Sequence, residues 1–191
     1  KNWDLFCIPI DGSASALRLT TLPPFASSSS LLLSADSSLA VYIADQEVDG
    51  RYELFAVPLD ASAAPHKLSQ PSGSSAVNGL RLDPAGDAVL YTMSLSMGSC
   101  LFRVPLAGGA PVQLTPHGVF GQHMLATADA THALYYNHDF TGSQDYRLLS
   151  VPLDGSAAPV VIDTEDSQPD ELRVSADSTR VVYTFDDSTL L

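Results

Sequence analysis

Cations are scarce in this sequence. Nine Lys plus Arg stand against 22 Asp plus Glu, a formal net charge of −13 over 191 residues. Neutralising phosphates needs clustered Lys and Arg, so this balance argues against nucleic acid as a partner and, equally, against anionic membrane surfaces. The acidic excess supports solubility and a long-range pull on cations or basic partners. Long hydrophobic runs are missing too. None approaches the roughly 18–20 residues that cross a bilayer, so no membrane insertion is expected. No signal-peptide pattern opens the chain, which starts at Lys1 instead of Met and is compatible with a leader removed by processing. Only two cysteines are present, Cys7 and Cys100, about two repeat lengths apart. A disulfide between them is not expected, and both read as small, buried or half-buried side chains.

Motifs for chemistry are equally sparse. No G-x-S-x-G elbow occurs, and the nearest stretch, Gly73-Ser74-Ser75-Ala76, reads as a flexible linker. His66, His117, His123, His132 and His138 lack the spacing or cysteine pairing of a zinc site. Asp163-Thr164-Glu165-Asp166 has the charge to attract calcium but not the EF-hand spacing, and reads as loop carboxylates in solvent. Gly108-Gly109 belongs to a hairpin turn rather than a phosphate cradle, and the run Ser27 to Ser30 reads as a loop before a strand. The expectation is therefore no catalytic residue, no metal and no cofactor.

What the chain does have is a repeat, which is to be sought before any other signal. Leu5-Phe6-Cys7-Ile8-Pro9-Ile10-Asp11-Gly12 returns from Leu54 to Ala61, from Leu101 to Gly108 and from Leu148 to Gly155, its prolines spaced 49, 47 and 47 residues apart. A second motif alternates with it. Ser34-Ala35-Asp36-Ser37 precedes Val41-Tyr42, and the equivalents are Asp83 to Gly86 before Leu90-Tyr91, Thr127 to Ala130 before Leu134-Tyr135, and Ser175 to Ser178 before Val182-Tyr183.

Each period has the makings of four antiparallel strands: a short first strand such as Leu80-Arg81-Leu82, a turn of small polar residues, a Val/Tyr-rich second strand, the Leu-Phe-x-Val-Pro-Leu third strand, and a short fourth strand. Asp-Gly and Gly-Gly endings supply hairpin turns. The proline donates no ladder hydrogen bond, which places it at a bulge or strand end. Units of 40–50 residues with four strands each build β-propellers.

The two alternating motifs resemble the WD-like repeats of TolB-type propellers, which also form the propeller domains of prolyl oligopeptidase-type serine peptidases. The likeness covers essentially the whole chain, although only Pro84 with Gly86 approaches the family's full Ser-Pro-Asp-Gly turn. It implies an all-β propeller of about four blade equivalents over residues 1–191, with units near 1–24, 25–72, 73–117, 118–165 and 166–191. The first and last units are partial. The chain is expected to enter at a third strand and to stop where another is due. Two arrangements follow: head-to-tail closure into a four-bladed wheel, or half of a larger wheel completed by more chain or by a homodimer.

In a propeller the first strands line the channel, and the loops entering them share a rim with the loops joining second and third strands. The candidate ligand-facing residues are Asn78, Arg81, Gln122, His123, Glu171 and Arg173, with His138 and Asp139 on the neighbouring loops. Asp45, Glu47, Asn137, Asp186 and Asp187 lie on the same loops. Arg81 and Arg173 occupy equivalent positions and together suit a carboxylate; the plainer reading pairs them with acids such as Asp170 and Glu171. The expected function is a non-catalytic module presenting its rim to a protein or peptide partner, periplasmic or extracellular in a bacterium. The alternatives are the gating propeller of a prolyl oligopeptidase-type peptidase, and a channel enzyme using His123 with Glu171 as acid and base.

Overall fold

The computed structural model describes residues 3–70, 76–95, 98–116, 119–138, 146–165 and 169–185. Among them are sixteen strands and no helix. β1 (Phe6–Cys7) and β2 (Leu17–Arg18) form a two-stranded sheet. Three complete sheets follow. The first comprises β3 (Ser28–Leu33), β4 (Leu39–Ala44), β5 (Glu53–Pro58) and β6 (His66–Lys67). The second comprises β7 (Ala76–Leu82), β8 (Ala88–Leu95), β9 (Gly98–Pro105) and β10 (Val112–Gln113). The third comprises β11 (Val119–Ala126), β12 (His132–His138), β13 (Tyr146–Pro152) and β14 (Val160–Glu165). β15 (Pro169–Val174) and β16 (Val181–Phe185) make a final two-stranded sheet. This is the expected all-β order of third and fourth strands, three full units, then first and second strands.

The sheets stack face to face. Val41, Ile43, Leu54 and Ala56 of the first complete blade pack against Val89, Tyr91, Phe102 and Val104 of the second. The opposite face of the second blade (Leu90, Leu101, Leu114) packs against Met124, Tyr135 and Val151 of the third. In the three complete sheets both faces of the second and third strands are thus largely buried, which is why these segments read as continuous apolar runs rather than alternating ones. Tyr42 stacks on Phe55 at 5.8 Å and Tyr91 on Phe102 at 5.3 Å, so each of these blades is pinned by the same cross-strand aromatic pair. The first strands lie side by side in chain order, β3 beside β7, β7 beside β11 and β11 beside β15. They form the inner wall of the stack.

The turns follow their sequence. Pro58, Pro105 and Pro152 end their strands, and each prolyl carbonyl accepts a hydrogen bond from the residue three further on, at 3.1 Å from Ala61, 3.0 Å from Gly108 and 3.2 Å from Gly155. Between first and second strands Ser34 Oγ accepts from the Leu39 N–H at 2.9 Å, and Thr127 Oγ1 and Ser175 Oγ each accept at 3.0 Å from His132 and Arg180.

Three expectations are corrected. The head-to-tail closure is not formed, because β1–β2 and β15–β16 remain separate sheets among the described residues. The serine run is not a loop: Ser28, Ser29 and Ser30 belong to β3, which accommodates them with a bulge. Asp163, Thr164 and Glu165 belong to β14, where the Tyr183 hydroxyl hydrogen-bonds to both carboxylates. Gly73 to Ser75 and Ser188 to Leu191 lie outside the described residues.

Candidate functional site

A β-bulge or register shift interrupts all four first strands near their leading ends. It falls between Ser29 and Leu31, between Val77 and Gly79, between Val119 and Met124, and between Pro169 and Leu172. Each shift lies just before the residue opposite the recurring tyrosine, namely Leu31↔Tyr42, Leu80↔Tyr91, Met124↔Tyr135 and Leu172↔Tyr183. A bulge adds an unpaired residue and re-aims its side chain, which is why bulges concentrate beside functional sites. Asn78, Gln122, His123 and Glu171 all fall within these interruptions. Sequence reasoning named these positions without foreseeing the bulges in which they lie.

Each blade completes its bulge with different chemistry. In the first, the loop after β4 is tied down by Asp45, which is 3 % exposed and accepts from the Ser27 N–H at 2.7 Å and the Gly50 N–H at 3.0 Å. Burial works to raise the Asp45 carboxyl, but these backbone donors outweigh it and hold it below the usual range. Asp45 is therefore a loop anchor rather than a ligand contact. Glu47 on the same loop is 2.6 Å from Lys67 Nζ, which also reaches the buried Glu53 at 3.3 Å. In the second blade Asn78 is the bulged residue. It is exposed, and its Nδ2 donates to Ser94 Oγ at 2.6 Å, itself 3.3 Å from Ser99 Oγ. The bulge thus meets the paired ends of β8 and β9, where Ser94 stands opposite Ser99.

In the third blade Gln122 and His123 lie on β11, but their side chains are outside the described part of the structure. His138 ends β12, half-buried, with its ring 4.6 Å from that of Tyr146. Asn137 precedes it in β12, while Asp139, Asp186 and Asp187 lie outside the described residues. In the last sheet the Glu171 N–H donates to Thr184 Oγ1 at 3.2 Å, and Arg173 pairs with Glu171 at 3.6 Å, both side chains exposed.

Arg81 and Arg173 do share a register, opposite Leu90 and Val182. They stand on β7 and β15, with β11 between. Arg81 is exposed and makes no ion pair among the described residues. The structure therefore keeps the two arginines apart, and Arg173 has the acidic neighbour that the plainer reading assigned it.

Sequence reasoning missed the pair Asp83–Arg103. Asp83 has a fully buried side chain, and Arg103 Nε lies 2.9 Å from it, with Asp87 3.3 Å from the same guanidinium. The signal was present in the sequence: the second unit alone has an acid where the others have Ser or Thr at the turn, and alone has a cation in the x position of Leu-Phe-x-Val-Pro-Leu.

No protein-family profile and no curated protein matches the chain. Solved structures do. TolB from Acinetobacter baumannii superposes on 91% of this chain and 41% of its own, with a TM-score of 0.58 at 17% identity. The fold is that of a TolB-type β-propeller. An oligogalacturonate lyase from Vibrio parahaemolyticus matches this propeller at TM-score 0.61 and 14% identity, covering 88% of this chain and 49% of that one. A structure from a study of two prolyl endopeptidases matches at TM-score 0.60 and 14% identity, covering 96% of this chain and 28% of that one. The chain thus spans less than half the length of each of these proteins, and identities this low bear on fold alone.

Proposed function

We propose that this propeller is a non-catalytic binding module that presents its bulged rim to a protein or peptide partner. One observation carries the reading: the frame repeats from blade to blade, while the bulged position and its loop do not. The core keeps the same Tyr, Leu and Val registers, yet the rim offers an anchored acidic loop, an Asn–Ser pair, a His–Tyr pair and a Glu–Arg pair in turn. A constant scaffold with varied polar groups at one end suits recognition. We also propose a periplasmic or extracellular location in a bacterium, to be checked by the activity of an alkaline phosphatase fusion to the full-length gene product.

The test is a peptide-display selection on the 191-residue chain, repeated with Asn78→Ala, Arg81→Ala, Glu171→Ala and Arg173→Ala combined. These side chains are exposed, so the melting temperature stays within a few degrees of the parent. Selected peptides lose at least tenfold in affinity for the variant. Equal binding to both forms would sink the rim assignment. The likeness to prolyl endopeptidases supports a second reading, a propeller that filters access to a hydrolase domain. An α/β-hydrolase segment in the same reading frame would establish it.

A further inference from the structure

Two seams separate the three complete blades, and their outer ends differ. Two side chains cross the first seam. His66 Nε2 lies 3.3 Å from the Leu106 carbonyl, and Gln70 Nε2 donates to the Pro111 carbonyl at 3.4 Å. The registers explain why the second seam has no such crossing among the described residues. β6 pairs His66 with Ala56 and Lys67 with Phe55, while β10 pairs Val112 with Arg103 and Gln113 with Phe102. Val112 therefore takes the place of His66, and Pro116, four residues further on, that of Gln70. Neither side chain has a donor. Gln113 turns back on its own strand, donating to the Thr115 carbonyl at 2.8 Å.

The second seam is consequently open. A groove of about 580 Å³ runs along it, walled by residues 113–116 on one side and 155–159 on the other. Both walls belong to complete blades, away from the two end sheets. The blades do touch beside it, since a Cβ on Gly155 would lie 2.8 Å from Val112 Cγ1. What is missing is the polar crossing. Leu153 and Pro159 hold the positions of Leu106 and Pro111. Both leucines donate their N–H to the turn before the second strand, at 2.9 Å to Thr131 and 2.8 Å to Asp87, and both prolines directly precede an outer strand. No described side chain donates to the Leu153 or Pro159 carbonyl.

We propose that this seam is a docking groove for an extended, arginine-bearing segment of a partner protein, whose guanidinium gives the Leu153 and Pro159 carbonyls the N–H donors that His66 and Gln70 give to Leu106 and Pro111. Arginine suits both the geometry and the charge. Its five N–H donors lie in one plane, so a single side chain serves two carbonyls, where the first seam uses two side chains. Its apolar stem covers Leu114, Ala157 and Ala158. No Lys or Arg lines the groove, the exposed Asp154 stands directly before its second wall, and the chain carries a net charge of −13. The groove lies on the outer strands and is separate from the bulged rim, so this inference does not rest on what the rim binds.

The test is an amide NMR titration of the nitrogen-15-labelled 191-residue chain with acetyl-Ala-Arg-Ala-amide at millimolar concentration. The expected result is shifts at Gln113, Leu114, Thr115 and residues 155–158, with residues 68–70 and 108–110 of the bridged seam unmoved. No shift at the open seam, or equal shifts at both seams, would overturn the proposal. So would an equal response to acetyl-Ala-Glu-Ala-amide. Val112→His with Pro116→Gln installs the crossing side chains of the first seam, and the shifts are lost. Both positions are exposed, so the melting temperature stays close to that of the parent. Shifts that persist in this variant count against the groove as the site. The variant combining Asn78→Ala, Arg81→Ala, Glu171→Ala and Arg173→Ala responds to the arginine peptide as the parent does, which separates this outcome from the fate of the rim assignment.

Discussion

Ser37, Ala130 and Ser178 hold left-handed backbone, with φ of 58°, 55° and 58°, where Gly86 stands at 78° in the second complete blade. An L-residue in that region is strained by about 1–2 kcal/mol, a strain glycine escapes while losing more chain entropy on folding. Ser37→Gly and Ala130→Gly are each expected to stabilise the protein by about 0.5–1 kcal/mol in urea unfolding. Ser178→Gly gains less, because Ser178 Oγ also accepts the Asp129 N–H at 3.0 Å. Glycine at 86 has a further reason: a Cβ there would lie 2.5 Å from the Cβ of Ala35 in the neighbouring turn. The Asp83–Arg103 pair gives a second prediction at this scale. Arg103→Ala strands a buried carboxylate and is expected to lose about 2–4 kcal/mol, somewhat below a fully buried pair because Arg103 is partly exposed. Adding Asp83→Ser, so that the turn matches Ser34 and Ser175, recovers most of that loss. If single and double variants unfold at the same denaturant concentration, the pair is not coupled.

Turns and strands differ in how far the sequence disclosed them. The number, order and type of strands were legible because two motifs alternate with fixed spacing, and the prolines marked the ends of β5, β9 and β13. The leading ends of the first strands were not. Their bulges break the two-residue period just where polar residues enter, so Ser28–Ser30 resembled a loop and Asn78 a position at the strand's start. Only the far end of β14, Asp163–Glu165, was hidden, because its carboxylates imitate a solvated connection. Of the site, residue positions were legible but partners were not: nothing in the local sequence distinguishes Asp45, consumed by backbone donors, from an acid left for a ligand. The turn motif itself makes a prediction. Hydrogen bonds from the Thr127 and Thr131 side chains, with the Thr131 N–H, bring the Asp129 carboxyl down to about 2, from an ordinary 3.8. Asp36 and Asp177 are lowered by the same arrangement, first through Ser34 and Ser175. A carboxyl whose folded value lies below its unfolded value favours folding fully above the unfolded one, and that contribution fades as pH falls through the folded one. Stability should therefore decline between about pH 4 and 2. Carbon-detected NMR should place the Asp129 midpoint near 2, and Thr131→Val should move it upward.

Across the molecule, stability is shared between neighbouring blades. Tyr91 is fully buried between the first and second complete blades, and burial pushes its hydroxyl well above the usual phenol range. Tyr91→Ala opens a cavity at that interface and is expected to cost about 3–5 kcal/mol, read from the urea midpoint. Because each sheet contacts only its neighbours, the loss should appear first as faster amide exchange in β4, β5, β8 and β9, and only later in β12 and β13. Uniform acceleration throughout the chain would contradict that neighbour-by-neighbour coupling.

The interrupted inner strands also bear on how the protein avoids self-propagating assembly. β3, β7, β11 and β15 are each the inner edge of their sheet, with backbone donors and acceptors facing the axis. A straight edge of that kind would template strand addition and seed fibrils. The kink that breaks the ladder at the head of every such edge removes the regular spacing that an incoming strand would need, so the feature that re-aims the rim side chains also acts as a guard against amyloid.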